Sequence, residues 1–387
     1  MYELFLDKNN AYTVATVGYH YYYGVFMNHF NLAFGYPATD TCSTCQTYKL
    51  AMKNQNITDN QKKLKTALFI LHRRKARKFY SLLNDIHPNE ITICFDMMEN
   101  LVLPKLSIGE AYYSRQLYFY VLGVVIHKGD KSQSVNDIYF FTWMECENRK
   151  DSNMICSAIE HLLKNVLKDK CFNASSLRLF SDACYGQNKN INMTCMLLAL
   201  RKQYFNKLQI THTFPEQGHS YLPADCVFGR VQLDIKKRDQ IFEPNEYINI
   251  LSRHGKVMVY GQNWSAHDFK SEVKKYVMSK KTFKISEAKK LLINSDKLKV
   301  VAFSYHSEPK SHSILKKRKK WETFRPQCLE LNNCVKLAKK DDVFRLLGLV
   351  GAEGRILSMY KTLLCNATED NASLSEEDSS LFDLNVF

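Results

Sequence analysis

Asp182 stands in the stretch LRLFSDACYGQNKN, Leu177 to Asn190, where an alternating apolar strand pattern gives way to a turn of small and amide residues. A helical apolar run follows. Asp96 stands the same way at the end of EITICFD, Glu90 to Asp96. If those strands lie side by side and parallel, the two carboxylates share one rim of a sheet. At that separation they repel, and a divalent cation offsets the repulsion best. Mg²⁺ or Mn²⁺ takes carboxylate oxygens together with water and substrate phosphate. Two such ions about 4 Å apart activate a water and stabilise the leaving oxygen in phosphodiester cleavage. A third ligand is expected from the final helix, and Asp225 near its start is the candidate. Glu216, in the preceding loop, is the second choice. Asp234 lies nine residues beyond Asp225, about 13 Å along a helix, too far to share its ion. Gln187, Asn188 and His219 could position a phosphate or a water. The plainer reading makes Asp182 a turn residue and Asp225 an acid that favours a helix N-terminus.

Cys42-x2-Cys45 is half of a zinc site. His72, on the helix that follows, is the third candidate ligand. A fourth is not obvious, with His20 and His29 upstream as options. The alternative is two free thiols. A thioredoxin-like role is disfavoured, because no strand leads into the pair.

These residues need a scaffold. Residues 1–87 read as an aromatic-rich segment, then the CxxC, then a long helix from Asp59 to Asp85. Thr58 with Gln61 makes its capping box. Leu64, Leu68, Leu71, Phe79 and Leu82 form an apolar stripe, and the other face is basic. Pro88 ends it. From Asn89 the pattern turns to strands: EITICFD, RQLYFYVLGVVIHKGD and DIYFFTWMEC, joined by short connections as an antiparallel meander. A helix over Ser152 to Lys168, the strand LRLFSD, a helix from about Lys189 to Asn206, the strand LQITHTF and a helix from Ala224 to Arg238 complete the core, residues 88–250. The order β-β-β-α-β-α-β-α predicts an α/β fold, a mixed five-stranded sheet with helices on both faces. Ribonuclease H and the integrase-type transposases share that order.

Several unusual strings carry a closer resemblance. FDMMENLVLPKLSIGEAYYSRQLYFYVLGV, FSDACYGQNKNINM and GHSYLPADCVFGRVQ occur in order, with FNLAFGYPATDTCSTC upstream. They resemble an uncharacterised domain of animal transposon-derived proteins, whose members resemble the DDE-type, RNase H-like transposase core. The match runs over roughly residues 25 to 250. It implies Asp96, Asp182 and Asp225 as the acidic triad of a two-metal nuclease or transposase-type protein. Two positions depart from the family: Met98 replaces a Gln, and Gln232 replaces the Glu that ends the third motif. Residues 225 and 232 are two helical turns apart, about 10.5 Å, and would not hold one ion together. If that Glu is the family's third ligand, this chain has lost it, because neutral Gln is a poor Mg²⁺ ligand. The other readings are a catalytically silent nucleic-acid or chromatin binding protein that keeps the fold, and a protein-interaction scaffold.

Charge points to the partner. The 387-residue chain carries a net charge of +15. Leu251 to Lys340 holds 22 of the 54 Lys and Arg but only 7 of the 39 Asp and Glu, and the rest of the chain is neutral. Residues 251–345 therefore read as a basic α+β module whose lysines meet a phosphate backbone. Lys316, Lys317, Arg318, Lys319 and Lys320 form its densest run and also match a nuclear import signal. Residues 346–387 read as a helix and then an acidic tail expected to be disordered. DNA is the expected partner and a homo-oligomer stays open. No run of 18 apolar residues predicts a membrane span. The start MYELFLDKNNAYTV is not read as a signal peptide. The 12 cysteines, several inside predicted elements, read as reduced thiols.

Overall fold

The structure is a computed structural model that describes residues 1–11, 17–30, 41–54, 56–129, 133–279, 282–295, 297–329 and 335–368. Asp40 and the acidic tail from Glu369 onward lie outside the described residues. The chain opens with α1 (Tyr2–Ala11) and α2 (Tyr19–His29), whose rings pack on each other, Tyr2 against Tyr22 at 5.3 Å. No residue of α2 is buried. Next, α3 (Ser43–Lys53) packs along α4 (Asp59–Asn84). The expected capping box starts α4: Thr58 Oγ1 accepts the Gln61 N–H, and Gln61 Oε1 accepts the Thr58 N–H. Its apolar stripe is buried over only half its length. Ala76, Phe79 and Leu83 are buried, whereas Leu64, Leu68 and Leu71 stay exposed.

The core follows as β1 (Glu90–Met97), β2 (Leu101–Leu103), α5 (Gly109–Tyr113), β3 (Leu117–Ile126), β4 (Ile138–Met144), α6 (Ser152–His161), α7 (Lys168–Asn173), β5 (Ser176–Ser181), α8 (Ile191–Tyr204), β6 (Gln209–Thr213) and α9 (Pro223–Lys236). Then come α10 (Pro244–Leu251), β7 (Lys256–Val259), α11 (Phe269–Tyr276), β8 (Ala288–Ile293), β9 (Leu298–Ala302), β10 (Lys310–His312), α12 (Leu337–Leu349) and α13 (Arg355–Leu363). One mixed sheet orders its strands β10-β9-β8-β6-β5-β1-β3-β4-β7, with β2 also paired to β3. β1, β3 and β4 form the antiparallel meander, while β1, β5 and β6 are parallel neighbours.

The sequence predicts five strands for the core, and among the described residues the sheet has ten. β7 pairs with β4 at one side, and β8, β9 and β10 extend the sheet from β6 at the other. The basic segment thus adds strands to both edges of the core sheet. The physical reason is the edge itself, because unpaired N–H and C=O groups along β4 and β6 need partners.

Period-two alternation divides the packing between two faces. On the first, Ile93, Phe95, Leu122, Val124, Phe141 and Trp143 meet the helices α6, α8 and α11. On the second, Phe119, Val121, Val125 and Phe140 meet α9, α10, α12 and α13. Beside them Cys94 and Phe180 pack against Phe79 and Leu83 of α4 and against Leu222. Gly123 lets α9 lie close. A Cβ there would come within 2.6 Å of Phe228 Cζ, and the β1–β3 register places Gly123 opposite Asp96.

Candidate metal centres

The β1–β5 register pairs Phe95 with Ser181, so Asp96 and Asp182 are the next residues along two parallel neighbours. Such strands run about 4.8 Å apart. Asp225 is the third residue of α9, where its carboxylate accepts the Leu222 N–H at 2.6 Å. The plainer reading of Asp225 as a helix-start acid is therefore realised, yet its charge also reaches Asp96. Burial first, and then the charges of Asp182 and Asp225, push Asp96 up to about 8. Burial likewise raises Asp182, opposed by the Asn188 side chain, the Cys184 N–H and Lys150. Burial and the charge of Asp182 raise Asp225 against its Leu222 hydrogen bond. Three carboxylates far apart in sequence thus share one local field.

Their neighbours are hydrogen-bond donors and one cation. Asn188, buried as a supporting residue should be, donates its amide to Asp182 Oδ1. Its own Oδ1 is buried without a partner. Asp96 Oδ1 is steadied by the Met97 N–H at 2.7 Å. Gln187 lies half-exposed in the same turn. Sequence reasoning missed Lys150. Its Nζ donates to Asn100 Oδ1 at 2.9 Å, and its charge reaches Asp96 and Asp182. Nothing in the polar turn after β4 distinguishes this lysine from its neighbours.

Other candidates fall elsewhere. Glu216 pairs with Lys289 at 3.0 Å. Asp234 is held by Lys237 at 2.8 Å and His254 at 2.9 Å, and these bonds lower it to about 2. Met98 is a buried core residue against α9.

A second cluster adjoins the first. Cys42 caps α3 and Cys45 lies one turn on, so both thiols project from the same face of its start. Cys42 Sγ is 3.3 Å from His72 Nε2, Cys45 Sγ is 3.3 Å from His219 Nε2, and the two imidazole Nε2 atoms are 3.1 Å apart. Among the described residues this is the group of Cys, His, Asp and Glu whose ligand atoms all lie within 4.8 Å of one another, and it can hold a metal ion. The fourth member is therefore His219, which the sequence reading assigned to the acids, rather than His20 or His29. The string GHS was a usable signal. Gly218 adopts φ +73°, and a Cβ there would fall 2.9 Å from Cys42 Cβ. Only glycine lets the loop press this close. Burial and the charges of His72 and Arg73 lower His219, which keeps its imidazole neutral for ligation. Burial, then the hydrogen bond and charge of Cys42, raise Cys45, and a bound cation would relieve that repulsion.

The run Lys316 to Lys320 sits apart from both clusters. Lys316 Nζ donates to Lys274 O at 2.7 Å, and Lys319 Nζ lies 4.7 Å above the Tyr276 ring. Tyr276 belongs to the core of the first face, whereas α9 with Asp225 packs on the second.

Fold and site together define a mixed α/β protein with an acid-lined sheet rim and an adjoining Cys₂His₂ cluster. The chain belongs to the family described as Domain of unknown function (DUF7869), which matches residues 110–323. That span carries Asp182, His219 and Asp225, while Asp96, Cys42, Cys45 and His72 lie before it. No curated protein matches the chain.

Proposed function

We propose that the chain is a transposon-derived, DDE-like protein that cuts or transfers DNA phosphodiester bonds with two Mg²⁺ or Mn²⁺ ions. The observation that carries this reading is the parallel β1–β5 pairing that runs into Asp96 and Asp182, with Asp225 in the first turn of α9, which packs on β1 and β3. The strand order β4-β3-β1-β5-β6, with β3 antiparallel to its neighbours, supports an RNase H-like core. Asp225 acts on Asp96, whereas Gln232, two turns further along α9, is neutral and brings no charge to the acids. Asp96, Asp182 and Asp225 would hold the ions, which supply Lewis acidity and a deprotonated water when bound. Asn188 fixes the Asp182 carboxylate, and Lys150 offers a positive charge beside a phosphate.

The second cluster suits a structural zinc, since Cys42, Cys45, His72 and His219 fill all four positions. With Zn–S near 2.3 Å and Zn–N near 2.0–2.1 Å, a tetrahedral site has N–N and S–N edges of about 3.3–3.6 Å and an S–S edge of about 3.8 Å. The present contacts of 3.1–3.3 Å need only small adjustments. The basic run Lys316 to Lys320 as an import signal would make the protein nuclear.

The test is nicking of supercoiled plasmid in Mn²⁺ by the wild type and by Asp182→Asn. Nicking lost in the variant, with DNA binding retained, is expected. DNA binding with no nicking by either protein would leave the silent binding protein instead. Nicking unchanged in the variant would remove the acids from the chemistry.

A further inference from the structure

The strongest charged feature outside the two clusters is α4. It carries eight Lys and Arg against one acid, Asp59. Lys62, Lys63, Lys65, Arg73, Arg74 and Arg77 are exposed. Among the described residues none of them is within ion-pair distance of a carboxylate. A row of cations kept apart from acids along a helix of 26 residues, about 39 Å, is a strong positive field in search of a polyanion.

Its placement says which polyanion. The buried end of α4 packs Phe79 on Phe180, at 5.6 Å, on the sheet face that also carries α9. Tyr80 Oη donates to His219 O at 3.1 Å and feels the charge of Asp225. His72 ties the middle of the helix to the Cys₂His₂ cluster. Lys78 lies near enough to act on Lys290 of β8, so the basic surface continues from the helix onto the extended sheet. The helix therefore leads from solvent to the acid rim on the rim's own face. The run Lys316 to Lys320 is anchored on α11, across the sheet.

We propose that α4 is the rail that binds the DNA backbone and delivers the strand to Asp96, Asp182 and Asp225. This deepens the nuclease reading and rests on it for the direction of the track. One turn of B-DNA rises about 34 Å, close to the helix length, so one face of a duplex can lie along it. The partner is double-stranded DNA held through phosphates, without base readout, because lysine and arginine on one helix face give positioning rather than sequence.

The experiment measures binding of the full chain to a 30-base-pair duplex across a salt series. Lys62→Gln, Lys63→Gln, Arg74→Gln and Arg77→Gln are combined in one variant, and Lys62→Gln with Arg77→Gln in another. Each lost phosphate contact lowers the slope of log K against log salt by about 0.9. The four-fold variant should lose up to about 3.6 in slope, and the two-fold variant about half of that. At physiological salt the larger variant should bind at least about 30-fold more weakly. Thermal melts matching wild type show that the exposed changes leave the fold intact. The same four-residue change at Lys316, Lys317, Arg318 and Lys319 is the rival. A larger loss there than in α4 overturns the rail while leaving the nuclease reading in place. Absent plasmid nicking with an intact α4 effect does the reverse. Anionic vesicles or single-stranded RNA bound in preference to the duplex, through the same residues, would also overturn it.

Discussion

Gly123→Ala tests how the acid rim is assembled. The new methyl group would stand 2.6 Å from Phe228 Cζ, whereas ordinary contacts begin near 3.4 Å. The ring must retreat by about 1 Å, or the helix must lift with it. Phe228 is buried and lies one turn beyond Asp225 on α9, and Gly123 pairs with Asp96 in the sheet. Any lift of α9 therefore moves one acid away from another. Overpacking of this kind costs about 1–3 kcal/mol. For a chain of this size that is a fall of roughly 1–4 °C in melting temperature. Isothermal titration with Mn²⁺ should show weaker binding by the variant. Phe228→Leu removes the outer ring atoms, so the double variant should regain stability and Mn²⁺ affinity relative to Gly123→Ala alone. The coupling energy in this cycle should be about 1–2 kcal/mol in favour of the pair. A Gly123→Ala protein that melts within a degree of wild type and binds Mn²⁺ equally would refute the reasoning.

Zinc should co-purify at one ion per chain, and His219→Ala or Cys45→Ser should abolish it while leaving Asp182 intact. At a hundredfold excess over its dissociation constant the ion adds about 2.7 kcal/mol, so chelation should lower the melting temperature. Retention of the full metal content by His219→Ala would refute the assignment of the fourth ligand. His212 predicts an acid limb. It is buried between strands, bonded to Ser181 Oγ at 2.8 Å, and burial lowers it to about 3. The unfolded state binds its proton below about 6.5 while the folded state does not, so the stabilisation is full above 6.5 and is lost as pH falls toward 3. One such group contributes a slope of up to about 1.4 kcal/mol per pH unit, added to that of the carboxylates. His212→Gln should flatten the stability profile between pH 6 and 4 by about one proton, and an unchanged slope would refute the neutral buried imidazole.

Strand periodicity made the central fold legible. β1, β3 and β4 bury both faces and read as long apolar runs, and the turn after β5 announces itself through Gly186, Gln187 and Asn188. KVMVY and KVVAFSY read as strand-like pieces of the basic segment, and β7 and β9 fall on them, whereas β8 did not read as a strand. β8, with the sequence AKKLLI, has its two lysines adjacent, which suits neither strict alternation nor a buried run. Half of α4 misled the stripe analysis, because helical spacing reports which face is apolar and not whether a partner covers it. Asp96 and Asp182 were visible as acids ending strands, but their closeness depended on the β1–β5 pairing, a tertiary fact. Lys150 joins them only through the fold, and spacing cannot carry that information. His219 was visible as a residue but was given to the wrong cluster, because the loop from Glu216 to Leu222 passes beside both.

That loop explains why two clusters of such different chemistry lie together. Glu216 is tied to Lys289 at its start, and Gln217 O receives the Cys42 thiol at 3.4 Å. His219 joins the cysteine cluster, and its carbonyl accepts Tyr80 Oη. Leu222 is buried under α4, and its N–H is received by Asp225 at 2.6 Å. Position by position the segment alternates between anchoring to α3 or α4 and shaping the first turn of α9. A cation held by the soft ligands therefore fixes the loop, the loop fixes the N-terminus of α9, and that turn sets the Asp225 carboxylate against Asp96 and Asp182. The cysteine pair, remote from the acids in sequence, contributes to their geometry through a handful of backbone bonds. It follows that the two sites should fail in one direction only. Stripping the soft site should loosen cation binding at the acids, whereas Asp182→Asn should leave the cysteine cluster's metal in place.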